Sequence, residues 1–319
     1  MKTTLLSALT AAFFLICSPL FLLRGRISPA AAFIKDSAAP AQAEGAAARQ
    51  FRIKTESGVI TLSAEEYVTG VLCGEVSPSY SGEVLKAQAV AAYTFACRRA
   101  EYAEKIGREY DLTDDPATDQ CYVSKSEIKE KWGEKAEEYY AVMNNAVKAV
   151  AGERLCCGGE TALTVYHAIS PGMTNSAEDV WGKAVPYLVP VKSVGDRLSA
   201  AYISEAEFDE NEVREKLKDL CEVTAGQNAF EEIKKNESGL VLSFTAGSKD
   251  VKGTDAAKAL SLPSAAFDVS FSEGVYRFTV YGRGHGVGMS QTGAEYMARQ
   301  GSDYKEILFH YYKDCEIKK

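Results

Sequence analysis

A helix with no wet face is the feature that most constrains this chain. From Val84 to Cys97 nearly every position is apolar or small: Val84, Leu85, Ala87, Ala89, Val90, Ala91, Ala92, Phe95 and Ala96. A helix that is apolar all round is stable only when covered on all sides, so the rest of the chain must wrap it. The helix is predicted from about Gly82 to Lys105. Lys86 and Gln88 are its polar exceptions. Lys86 and Tyr93 lie two turns apart and share a face. At 319 residues the chain can bury a substantial core.

Other elements follow from local pattern. Phe51 to Leu62 alternates around Ser57-Gly58 and reads as a hairpin. Ser63 with Glu66 is a capping box opening a helix to about Cys73. A further helix is predicted from about Glu134 to Ala151, and a second hairpin over Arg154–Ile169 around Gly158-Gly159. Ser204 to Leu220 is acidic and reads as helical. Strands are predicted at Leu240–Thr245, Ala266–Phe271 and Val275–Tyr281, then helices at about Thr292–Arg299 and Asp303–Tyr312. Helices gather early and strands late, without βαβ alternation, so the expected class is α+β, with mostly antiparallel strands in one elongated domain over 50–319.

The N-terminus is different. No charge falls between Thr3 and Leu23, while Lys2 precedes the run and Arg24 and Arg26 follow it. Such a stretch crosses a hydrocarbon core of roughly 30 Å as a helix. It exceeds a usual signal-peptide core and no small-residue cleavage site directly follows it. Residues 1–27 are therefore expected to be a retained signal anchor, and the Ala-rich segment 28–49 a linker. The net charge of −8, with no Lys/Arg cluster, argues against a nucleic-acid partner. Of eight cysteines, Cys17 lies in the expected anchor and the other seven show no C-x-x-C spacing, so unpaired buried thiols are expected.

Three stretches could carry chemistry. In the first, Glu75-Val76-Ser77-Pro78 sets a carboxylate at a helix end beside the buried helix. An apolar setting raises a carboxyl pKa and suits a general acid; a capping Glu paired with Lys86 is the bland alternative. In the second, Ser170-Pro171-Gly172 and Glu178-Asp179-Val180-Trp181-Gly182 form either a plain turn or a sugar-binding loop with Trp181 as its packing face. In the third, Gly282, Gly284, Gly286 and Gly288 alternate around His285. This run lacks the Gly-Lys-Ser/Thr ending of a phosphate loop. His285 is either a substrate contact or a hydrogen-bonded core histidine. The three histidines are scattered, and Asp111, Asp114, Asp115 and Asp119 read as a solvated acidic loop, so neither a metal nor another cofactor is expected.

Together these stretches resemble the stage II sporulation protein D family of lytic transglycosylases, which also includes the amidase-enhancer domain. The resemblance rests on four segments: Tyr67 through Pro78, Leu85-Lys86-Ala87-Gln88-Ala89-Val90-Ala91-Ala92, Asn175 through Gly182, and Gly284-His285-Gly286-Val287-Gly288-Met289-Ser290-Gln291. It implies an extracytoplasmic, single-pass membrane enzyme of sporulation and engulfment. Such an enzyme cuts the MurNAc–GlcNAc bond of peptidoglycan glycan strands and leaves 1,6-anhydro ends, with Glu75 as acid and then base. It further implies Lys86, Gln88, Tyr93, Ser170, His285 and Gln291 as substrate-binding positions. The alternative is a non-catalytic glycan binder that stimulates a partner cell-wall amidase. The chain also departs from the pattern. Tyr93 stands where the family usually has Arg, Pro171 breaks the usual Ser-Gly-Gly turn, and Arg283 replaces a usual Trp. Some relatives bind zinc in the loop before Gln120, where this chain has Thr113 and Asp119.

Overall fold

In the computed structural model, residues 49–319 are described. The expected anchor over 1–27, and all but the last residue of the expected linker over 28–49, lie outside them. Among the described residues no helix is long and apolar enough to cross a membrane.

The first hairpin pairs β1 (Gln50–Thr55) with β2 (Gly58–Ser63), from Gln50↔Ser63 to Thr55↔Gly58. The short β3 (Leu112–Thr113) adds to β1 in parallel. Ser63 closes the expected capping box: its Oγ accepts from the Glu66 N–H while the Glu66 carboxylate accepts from the Ser63 N–H. This opens α1 (Ala64–Glu75), which stops where Val76 turns extended two residues before Pro78. The all-apolar helix is α2 (Gly82–Lys105), buried along most of its length. It packs against α1 and, further along the chain, against α4 (Ala136–Ala149). The helix expected from about Glu134 to Ala151 is α4, and a further helix that was not expected, α3 (Lys125–Trp132), precedes it with its own capping box at Ser124 and Glu127.

The second hairpin joins β4 (Arg154–Cys157) to β5 (Glu160–Thr161) through Gly158 and Gly159, both at positive φ, as a tight hairpin turn requires. The chain then forms β6 (Tyr166–His167) and α5 (Ala177–Trp181) before building a second hydrophobic core. That core is framed by β7 (Ile203–Asp209), α6 (Glu210–Leu217), β8 (Glu231–Lys235), β9 (Val241–Ala246), β10 (Lys249–Lys252), α7 (Gly253–Ala259), β11 (Phe267–Ser272) and β12 (Val275–Tyr281). Phe230, Phe244, Phe267, Tyr276 and Phe278 are its largest buried side chains. The chain returns to the first core through β13 (Met289–Ser290), parallel to β6, then α8 (Gln291–Arg299), α9 (Tyr304–Tyr311) and β14 (Cys315–Lys318).

The α+β class holds, with two corrections. The segment Ser204–Leu220 is not helical throughout: β7 occupies its first part, antiparallel to β12. Ala206 and Phe208 pack toward the second core while Glu205, Glu207 and Asp209 face solvent, so a period of two was masked by acidic composition. The expectation of unpaired thiols also fails at one pair. Cys157 and Cys315 form a disulfide, opposite one another across β4 and β14 with Cα atoms 4.5 Å apart. They are 158 residues apart in the chain, beyond the reach of any local spacing rule. Cys73, Cys97, Cys156 and Cys221 are buried thiols, and burial pushes the Cys73 thiol up to about 12.

Candidate active site

Glu75 is the last residue of α1, and the segment after β3 is laid against that helix. Gly70 and Gly74 permit the approach. A Cβ on Gly74 would stand 2.0 Å from the Cys121 carbonyl oxygen, and one on Gly70 would stand 2.5 Å from the Tyr122 ring. The contact brings the Cys121 N–H to Glu75 Oε1 at 2.9 Å. Lys131, from α3, donates to the Cys73 carbonyl at 2.8 Å, so a cation sits at the negative end of α1. The segment is pinned from behind by the buried ion pair of Arg99 with Asp119, whose carboxylate also accepts from the Thr113 N–H and hydroxyl. Those bonds occupy Asp119 and Thr113, so the two positions do not fit a zinc site. Among the described residues no group of three or more His, Cys, Asp or Glu could hold a metal ion.

Gln120 connects this segment to the rest of the site. Its Oε1 accepts from the Tyr67 hydroxyl at 3.3 Å and its Nε2 donates to the Tyr166 hydroxyl at 2.9 Å. Burial, reinforced by the nearby Glu75 charge, holds the Tyr166 phenol well above its ordinary value, and Tyr67 behaves likewise.

The backbone carbonyl of Tyr166 also accepts from the His285 ring. His285 Nδ1 accepts from the Val287 N–H at 3.0 Å, so Nε2 carries the proton of a neutral imidazole. Burial lowers His285 to about 4 and its neighbour His167 to about 3. The Trp181 ring lies 5.3 Å from His285, and Asn175 donates to the His285 carbonyl at 3.1 Å. The alternating glycines make this loop fit. Gly288 has φ +71, and a Cβ there would be 2.1 Å from the Val165 carbonyl oxygen.

Glu75 and His285 thus meet through Tyr166. Gln88 and Gln291 meet each other, with Gln291 Nε2 donating to Gln88 Oε1 at 3.4 Å, and both are buried. The other expected binding residues are engaged elsewhere. Lys86 pairs with Glu83 at 2.7 Å and lies over the Tyr304 ring, so the suggested Glu75–Lys86 salt bridge is replaced by a Lys86–Glu83 pair within α2. Tyr93 packs edge-on to Phe51 in the first core, and burial raises its phenol. Ser170 is fully buried and donates to Asp196, which also accepts from Ser290. A cavity of about 180 Å³ between Arg98, Cys157, Glu160, Lys183 and Tyr187 contains none of these residues.

Gln120 and Tyr166 were missed as site residues by the reading of sequence. Gly70 and Gly74, one turn apart on α1, were the signal that another segment crosses that face.

An α+β chain with this helix-end glutamate matches the family model described as stage II sporulation protein over residues 53–156, a span that contains Glu75, Gln120 and Cys121. The chain belongs to the stage II sporulation protein D family. It is 36% identical over 261 residues to stage II sporulation protein D of Bacillus amyloliquefaciens, covering 81% of this chain and 75% of the relative. Against the Bacillus subtilis (strain 168) protein of the same name the identity is 34% over 261 residues, with the same coverage. A Bacillus subtilis protein named amidase enhancer is 25% identical over 300 residues, 76% of this chain and 39% of that protein.

Proposed function

We propose that this chain is a lytic transglycosylase of sporulation. It is held on the outer side of the cell membrane by residues 1–27 and cuts peptidoglycan glycan strands with Glu75. The observation that carries the reading is the 2.9 Å bond from the Cys121 N–H to Glu75 Oε1. It orients a carboxylate at a helix end whose charge reaches the Tyr166 phenol, and Lys86, the lysine expected to pair with it, pairs with Glu83.

The chemistry needs one carboxylate. A two-carboxylate hydrolase uses its second group as nucleophile or to activate water. When the muramyl 6-hydroxyl attacks its own anomeric carbon, neither job remains. Glu75 first gives its proton to the leaving glycosidic oxygen as the C1–O bond breaks. It then takes the proton of the 6-hydroxyl as the O6–C1 bond closes the anhydro ring. The Cys121 N–H holds the carboxylate through both transfers. Trp181 beside His285 supplies a face on which a sugar ring packs.

Replacement of Glu75 tests this. Glu75→Gln is expected to fold and to bind glycan while releasing no anhydro-muramyl ends from denuded strands by mass spectrometry, a loss of about 10²–10⁴-fold or more. Wild-type turnover in a stably folded Glu75→Gln protein would remove Glu75 as the acid/base. The second reading, a glycan binder that stimulates a cell-wall amidase, is favoured by the relative named amidase enhancer and by Tyr93, an uncharged residue packed in the core. Amidase stimulation by a wild type that releases no anhydro ends would favour it.

A further inference from the structure

Tyr166 carries more than its backbone link to His285. Tyr67 is fully buried and spends its proton on Gln120 Oε1. Tyr166 is mostly but not fully buried, and its hydroxyl oxygen accepts from Gln120 Nε2. A phenol has one proton to donate. With Gln120 donating into the Tyr166 oxygen, that proton is left free of Gln120 for another acceptor. Burial and the Glu75 charge keep the hydroxyl protonated at any working pH. Gln120 is itself held on both sides, by the Arg99–Asp119 pair before it and by the Cys121 N–H on Glu75 after it. One short segment therefore sets both the carboxylate and the direction of a neighbouring donor.

We propose that Tyr166 is a substrate-contacting hydrogen-bond donor beside Glu75, oriented by Gln120, and that it binds an oxygen of the aminosugar that occupies the site. The inference rests on the glycan reading above, but it concerns contact with sugar and not the cleavage step alone. Tyr166→Phe keeps the ring and removes the donor. Gln120→Glu keeps the shape but, ionised, only accepts, so both phenols turn their protons inward and the site loses its donor with Tyr166 still present.

The test uses the full chain in two arms. In the Glu75→Gln background, binding of denuded glycan strands is measured by calorimetry. Adding Tyr166→Phe is expected to weaken binding roughly 5–10-fold, the worth of one neutral hydrogen bond, and adding Gln120→Glu should do the same. With Glu75 intact, each variant is expected to lower kcat by up to about 10²–10³-fold, as loss of a donor at the reacting centre does. Melting temperatures are recorded for all variants, because a merely structural role would move these and leave kcat in place. Binding and kcat unchanged in a folded Tyr166→Phe protein would overturn the donor role. Loss in Tyr166→Phe with none in Gln120→Glu would overturn the orienting role of Gln120. A wild type that releases no anhydro ends removes the cleavage reading alone, since the binding arm still decides on Tyr166.

Discussion

At the scale of single residues, the site is held by groups that stay neutral. His285 and His167 lie with their rings 5.7 Å apart, and both are lowered below the usual imidazole range, to about 4 and about 3, chiefly by burial. A folded pKa below the unfolded one means that the unfolded chain binds more protons between about pH 4 and 6.5, so stability rises with pH across that window. The contribution is complete above about pH 6.5 and is lost as the pH falls toward 4. The melting temperature is expected to drop by roughly 5 °C between pH 6.5 and 4.5 from His285 alone, taking about 1.4 kcal/mol per pH unit and about 2 °C per kcal/mol. Differential scanning calorimetry of wild type and His285→Gln reads this, and the variant should show the shallower slope. Equal slopes would mean that His285 does not titrate in this range. Tyr93 shows the opposite lesson. Its departure from the family pattern was visible in the sequence, but its burial against Phe51, in place of a share in the cleft, was not.

At the scale of elements, the meeting of α1 with the segment 119–123 decides where Glu75 points. Gly74→Ala puts a methyl group 2.0 Å from the Cys121 carbonyl oxygen, so the segment must move and take the Cys121 N–H with it. A cost of about 1–3 kcal/mol is expected, together with loss of turnover. Gly82→Ala is the contrast. A Cβ there meets nothing within 4 Å, and Gly82 opens α2. That change should stabilise the protein by about 0.4–1 kcal/mol, through a less flexible unfolded chain, and leave turnover alone. Urea denaturation of both proteins separates close approach from helix propensity. If Gly74→Ala were as stable and active as wild type, the packing of this segment on α1 would not position Glu75.

At the scale of the whole molecule, one covalent bond ties the C-terminus to the middle of the chain. The Cys157–Cys315 disulfide joins β4 to β14 and encloses the second core and the His285 loop within its 158-residue span. Replacing both cysteines with Ala is expected to cost about 2–4 kcal/mol by limiting the unfolded chain less. Comparing denaturation of the oxidised, reduced and doubly substituted proteins checks this, and equal stability in all three would mean the bond contributes nothing. Much of the architecture was legible beforehand. The bounds of α2 follow from an apolar run that no exposed helix tolerates, and β1, β2 and α1 follow from alternation, a turn and a capping box. All of these signals lie within a few residues of one another, so sequence by itself determined them, and with them the place of Glu75 at the end of α1. The tertiary structure alone decided the distant partners: Cys157 with Cys315, and Gln120 between Tyr67 and Tyr166. These contacts join residues dozens of positions apart, and what a thiol or an amide does depends on which neighbour the fold brings within about 3 Å.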